Sequence, residues 1–153
     1  DDSSWARGQS WAVYGLALCY HYTHEEAILP LFERVTKYFI DHLPEDYVPY
    51  WDLIFSDGSC EPRDTSAAAI AACGILEMEK YYHNQEFLDI AKKMMSSLSE
   101  KYTTVDYLQS NGIIKDGMYS RKHGHKSECT SWGDYFYLEA LMRMKKSDWK
   151  IYW

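Results

Sequence analysis

The 153-residue chain has 16 lysines and arginines against 23 aspartates and glutamates, a formal charge of −7, and so lacks the basic stripe that a nucleic-acid partner requires. No apolar run is as long as a membrane span; the longest, around Ala67 to Leu76, has the size of a buried core helix. The length suffices for one domain with a real core.

The first predicted element is a helix over Ser4 to Tyr22. Arg7 and Trp11, four residues apart, share a face of its first turn, where unpaired backbone N–H groups and the macrodipole favour an anion. A guanidinium can grip a carboxylate through two parallel hydrogen bonds, and an indole can lie against a pyranose face. The pair is therefore a candidate seat for a sugar acid, with a capped core helix and an aromatic plug as the plainer reading. A second helix, Glu25 to His42, sets Ile28, Leu31, Phe32, Val35 and Phe39 on one stripe and requires Pro30 to lie in or near its first turn. The third, Asp64 to Tyr82, is apolar or small on nearly every side. The fourth, Glu86 to Leu98, is again one-faced, through Phe87, Ile90, Ala91, Met94 and Leu98. The fifth, Ser131 to Met144, repeats the construction of the first and third. Those three are predicted to be buried all round and capped by Ser4, by Asp64-Thr65-Ser66 and by Thr130-Ser131.

Inner and outer helices thus alternate with a period of roughly sixty residues, the mark of a toroidal repeat of helical pairs. Two and a half pairs cannot close a ring and would leave a large apolar face bare, so the chain is expected to be the C-terminal part of something larger. Parallel inner helices would gather their N-termini on one rim. The long connections Leu43 to Arg63 and Thr103 to Thr130 would fall on it, and both exceed what a helix–helix turn requires. The first contains Tyr47, Tyr50, Trp51 and Asp52. The second contains a hairpin predicted around Asp116-Gly117 and the basic run Arg121-Lys122-His123-Gly124-His125-Lys126, which suits an anion or, more plainly, a solvated loop. Tyr14, Trp51 and Trp132 are placed in or beside the rim, where they would suit carbohydrate stacking or a barrel lining.

Cys19, Cys60, Cys73 and Cys129 form no C-x-x-C pair and read as free buried thiols of a reducing compartment, hence a cytoplasmic protein. His123, His125 and Cys129 lack the fourth ligand and the spacing of a zinc site. His24-Glu25-Glu26 has no second histidine at i+4, and no glycine loop is built to cradle phosphate, so no metal or cofactor is expected.

Four blocks resemble, in order, those of the unsaturated glucuronyl hydrolases, glycoside hydrolase family 88: Trp5-Ala6-Arg7-Gly8-Gln9-Ser10-Trp11-Ala12-Val13-Tyr14-Gly15, Val48-Pro49-Tyr50-Trp51-Asp52, Glu61-Pro62-Arg63-Asp64-Thr65-Ser66-Ala67-Ala68-Ala69 and Trp132-Gly133-Asp134-Tyr135-Phe136-Tyr137-Leu138-Glu139-Ala140-Leu141. The related unsaturated rhamnogalacturonyl hydrolases are less similar in the first block. The resemblance implies an (α/α)6 barrel, of which residues 1–153 would be the C-terminal part and would need the missing N-terminal part as partner. It implies substrates made by polysaccharide lyases, oligosaccharides of chondroitin, hyaluronan or heparin type ending in a 4,5-unsaturated uronic acid.

The chemistry implied is hydration of a vinyl ether rather than displacement by two carboxylates at the anomeric carbon. It also implies substrate contacts at Arg7 and Trp11. The loop with Ser120, Arg121, Lys122, His123, His125 and Lys126 is where members of the family meet the next sugar or its sulfate. The family's catalytic aspartate and its supporting aspartate fall in helical pairs this chain does not contain. Asp64 and Asp134 sit where an N-cap and a first-turn carboxylate belong and are assigned structural roles. A noncatalytic carbohydrate-binding fragment and a toroidal scaffold for protein are the alternatives from other functional classes.

Overall fold

The computed structural model describes residues 2–121, 128–146 and 148–152, and within them each predicted helix forms at its place. They are α1 (Ala6–Thr23), α2 (Ile28–Asp41), α3 (Thr65–Met78), α4 (Gln85–Lys101) and α5 (Ser131–Lys145). The starts of α4 and α5 are side-chain caps: Asn84 Oδ1 accepts from Phe87 N (3.1 Å) and Thr130 Oγ1 from Gly133 N (3.2 Å). Pro30 is the third residue of α2, so its missing N–H falls in a turn that has no intrahelical acceptor to offer. Ser4 does not cap α1 as its sequence suggests. Trp5 is the N-cap, and pairing with the first connection starts the helix, through Ala6 N to Trp51 O (3.0 Å) and Leu53 N to Ser4 O (2.8 Å).

The five helices pack with α3 in the middle, against α1, α4 and α5, while α2 lies on α1. Gly74 lets α3 approach α1 closely, since a Cβ there would stand 2.8 Å from the backbone of Tyr14. Every residue of α3 except Leu76 is buried. The same expectation fails for α1 and α5. Among the inner helices each packs mainly on α3 and meets the other through side chains, Trp11 and Tyr14 of α1 with Phe136 and Glu139 of α5, and each buries one face, Ala6, Ser10, Val13, Tyr14 and Ala17 on α1, and Gly133, Phe136, Tyr137 and Ala140 on α5. For the same reason only Cys73 is a buried thiol. Cys19, on the open side of α1, is exposed, as are Cys60 and Cys129 in the connections.

The inner helices are parallel. At one end Arg7 of α1 pairs with Asp64 before α3 (2.8 Å), and Trp132 of α5 donates to Ser66 of α3 (3.2 Å). At the other end His21 of α1 meets Glu77 of α3 (2.9 Å), and Arg143 of α5 pairs with the same Glu77. Arg143 also donates from Nε to Glu139 (2.8 Å), so this end is a buried ionic network.

Burial alone would raise the carboxyl of Glu77, but Lys80 and Arg143 outweigh it and hold it below the ordinary value. A depressed folded-state value contributes stability that is present above the unfolded carboxyl value and is lost as pH falls through the folded one. Chemical denaturation of the full-length protein is expected to show stability falling as pH drops below about 4.3, the unperturbed glutamate value. Glu77→Gln should cost roughly 2–3 kcal/mol at neutral pH and flatten that acid limb. An acid limb as steep as the wild type's would place its cause elsewhere.

The long connections are braced by isolated antiparallel bridges, Trp5 with Asp52, Tyr50 with Arg63, Thr103 with Ile114 and Gly117 with Glu128. The predicted hairpin at Asp116-Gly117 does not form. Ile114 pairs with Thr103, and Gly117 itself pairs with Glu128. Asp116, at φ 60°, instead joins the two bridges while its carbonyl accepts from Thr65 N (3.1 Å). This fastens the second connection to the start of α3.

Candidate functional site

The joined N-termini of α1, α3 and α5 form the rim, and Arg7 is its centre. Its guanidinium is buried and lies between the rings of Trp5 (4.9 Å) and Trp132 (5.2 Å). Nη1 donates to Asp64 Oδ2 (2.8 Å), Met118 O (2.6 Å) and Ser66 Oγ (3.3 Å), and Nη2 to Tyr119 O (3.1 Å). Asp64 is wholly buried and accepts a further hydrogen bond from the Ser66 hydroxyl (2.5 Å). Burial pushes its carboxyl above the ordinary value, while the Arg7 guanidinium and the Ser66 hydroxyl pull it back. Asp64 therefore occupies the predicted N-cap position, but its carboxylate is turned to Arg7.

Arg7 and Trp11 line one cleft of about 460 Å³ together with Trp5, Tyr119, Ser120 and Trp132, a volume suited to a small ligand. Trp11 is 38% exposed and rests edge-on against Phe136 (5.1 Å between ring centres). The structure thus brings together Arg7, Trp11 and Ser120, three of the predicted site residues, with Trp132 beside them. The free guanidinium fork suggested by the sequence is modified. Nη1 is taken up by protein acceptors and Nη2 also donates to Tyr119 O, so an anion in the cleft meets a guanidinium that is already hydrogen-bonded to the protein. A fixed positive charge among indole and phenol faces can hold an anionic group and stack a sugar ring.

A second cavity shares Trp5, Tyr119 and Ser120 with the first and adds Trp51, Met118 and Arg121. Arg121 donates from Nε to Glu61 Oε2 (3.0 Å), and the same oxygen accepts from Trp51 Nε1 (2.8 Å). Lys122, His123, His125 and Lys126 lie outside the described residues, and with them both histidines of the weak metal-ligand set. Among the described residues no group of three or more His, Cys, Asp or Glu side chains is placed to hold a metal ion, and no helix is long and apolar enough to cross a membrane.

Asp134, assigned a structural role from its sequence position, and several aromatic and acidic residues of the connections and α1 have structural partners. Asp134 Oδ1 accepts from Ile113 N (2.9 Å) and Ile114 N (3.0 Å), fixing the second connection to α5. Asp52 is buried and accepts from Ser4 N (2.8 Å) and the Ser3 hydroxyl. Tyr14 is not on the rim; it is buried between α1 and α5 with its hydroxyl on Glu139 (3.1 Å), because position 14 lies two turns below Arg7. Tyr50 is buried under the Arg63 guanidinium (3.9 Å). Tyr47 stacks with Lys93 of α4, away from the cleft (5.0 Å).

Sequence reasoning gave no role to Trp5, Tyr119 or Glu61. Trp5 had a readable signal, an aromatic beside Arg7 at the helix start; the other two are joined to the site only by pairing across the fold.

The chain matches the model of Glycosyl Hydrolase Family 88 over residues 1–147. It is 48% identical over 159 residues to the unsaturated chondroitin disaccharide hydrolase of Streptococcus pneumoniae, a match covering 100% of this chain and 40% of that protein. An unsaturated glucuronyl hydrolase from a Bacillus species is 38% identical, over 95% of this chain and 40% of the relative. Among solved structures, a mutant of the unsaturated glucuronyl hydrolase of Streptococcus agalactiae complexed with dGlcA-GalNAc6S superposes with a TM-score of 0.93 at 45% identity, covering 100% of this chain and 42% of that one. The all-helical fold is that of these (α/α)6 barrels, of which the five helices are a part. The chain spans about two fifths of the length of the curated relatives it matches. The C-terminal placement remains an expectation from the unclosed ring and the order of the sequence blocks.

Proposed function

The chain belongs to glycosyl hydrolase family 88, and from that premise we propose that the whole protein removes a 4,5-unsaturated glucuronic acid from the non-reducing end of oligosaccharides left by glycosaminoglycan lyases. One observation supports this most: the buried Arg7 guanidinium between Trp5 and Trp132 at the joined helix N-termini, in a cleft with Trp11. A carboxylate-bearing, flattened sugar ring matches both features, a fixed cation and aromatic walls.

In this reading Arg7 and Trp11 bind the uronate, and the rest of the barrel supplies the acid. An aspartic acid there protonates C4, water adds at C5 and gives its proton back, and the resulting hemiketal opens to release the remaining sugar. That donor needs a usable protonated fraction near neutral pH. Asp64 and Asp134 are already engaged, by Arg7 and by two backbone N–H groups, which supports leaving them structural. The unpaired cysteines support a reducing compartment, the cytoplasm. The deciding experiment adds the full-length protein to lyase-generated unsaturated disaccharides and follows the ultraviolet absorbance of the unsaturated uronate. Its loss supports the function; a stable chromophore overturns it.

Ser120, Arg121, Lys122, His123, His125 and Lys126 are proposed to read the next sugar or its sulfate, and a solved relative holding dGlcA-GalNAc6S supports a sulfated ligand for this family. Neutralising Arg121, Lys122 and Lys126 together is expected to lower kcat/KM for a sulfated disaccharide relative to an unsulfated one by roughly tenfold, as for the loss of exposed charge-assisted contacts. Equal losses on both substrates would mean that the loop only supports the fold.

A further inference from the structure

An anion, Glu61, is held by two residues that line the second cavity. Glu61 lies in the connection before α3 and places one carboxylate oxygen against both Arg121 Nε (3.0 Å) and Trp51 Nε1 (2.8 Å). Both donors line the cavity that continues the Arg7 cleft past Trp5, Tyr119 and Ser120. The Trp51 hydrogen bond, and after it Arg121, hold the Glu61 carboxyl below the ordinary range, so it is ionised at neutral pH. The pair is open to water, with 27% of the Glu61 and 43% of the Arg121 side chain exposed. Ion pairs this exposed are weak and readily exchanged for another partner.

We infer that Glu61 is a specificity-determining residue: its carboxylate occupies Arg121 and competes with an anionic substituent of the substrate, such as a sulfate ester, for that guanidinium. An unsulfated sugar leaves the internal pair undisturbed. A sulfated one must displace a carboxylate, and the released Glu61 then stands as a like charge beside it. Glu61 thereby sets how strongly the rim rewards sulfation. The inference rests on the proposed function, since it takes the cavity to face substrate.

Glu61→Gln separates the charge from the geometry, because the amide oxygen can still accept from Trp51 while the competing anion is gone. In the full-length enzyme at low ionic strength, this variant is expected to raise the ratio of kcat/KM for a sulfated over an unsulfated unsaturated disaccharide two- to fivefold, as is usual for an exposed pair. The gain should appear in KM, shrink as salt is added, and vanish when Arg121 is alanine. An unchanged or lower ratio, or a gain that persists without Arg121, overturns the inference. Wild-type turnover of the unsulfated disaccharide tests the function separately: turnover with an unmoved ratio removes only the role of Glu61, and no turnover removes both.

Discussion

Arg7→Ala in the full-length protein is expected to lower kcat/KM on an unsaturated disaccharide by at least about a hundredfold, the worth of a charge-assisted contact to a desolvated carboxylate together with the cleft geometry it supports. The structure adds a consequence for stability. Arg7 satisfies the buried Asp64 and the carbonyls of Met118 and Tyr119, so its removal leaves a carboxylate without its cation in the interior. Breaking one side of such a pair costs about 3–5 kcal/mol. Activity should therefore be compared only at temperatures where circular dichroism shows the variant folded. Arg7→Lys should recover little, because an ammonium cannot donate to four acceptors from within a planar stack between Trp5 and Trp132. Kinetics matching the wild type for both variants would remove Arg7 from the site.

The second large effect concerns the 153 residues expressed alone, which are expected to have no hydrolase activity. The proposed proton donor belongs to the part of the barrel outside them, and general acid catalysis worth roughly 10²–10⁴-fold goes with it. The loss of preorganised geometry costs more. The same chain should self-associate. Trp11, Tyr135, Leu138 and Met144 are more than a third exposed on α1 and α5, the two inner helices that pack mainly on α3. Supplying the remainder of the barrel as a separate chain is expected to restore a soluble species in gel filtration and turnover of the chromophore. A monomeric fragment that consumes the unsaturated uronate would contradict both the missing acid and the open ring.

Much of this was legible in the residues. Pro30 announced a first turn and Thr130 a cap, and the Ala-rich run after Asp64 announced the one helix that is buried all round, because local sterics and apolar periodicity act within a turn or two of the chain. Helix ends set by distant partners were not legible. Ser4 looked like the cap of α1, yet that helix is started by the carbonyl of Trp51, and Asp116-Gly117 looked like a hairpin although Ile114 pairs with Thr103 and Gly117 itself with Glu128. Burial is not legible in the sequence wherever it depends on which neighbour is present, as at Cys19 and along α1 and α5.

For the site, the sequence by itself determined which side chains are near one another along a helix, Arg7 with Trp11, and which rim they share with Asp64 and Trp132 once the inner helices run parallel. Both follow from the 3.6-residue repeat and from alternating inner and outer helices. Only the tertiary structure decided what each charge does. Arg7 meets Asp64 across 57 positions and Met118 across 111, and Arg121 meets Glu61 across 60. A guanidinium's spacing in the chain says where it can reach, whereas its partners are chosen by which acceptors are desolvated beside it, and that is fixed only when the helices and their two connections close on one another.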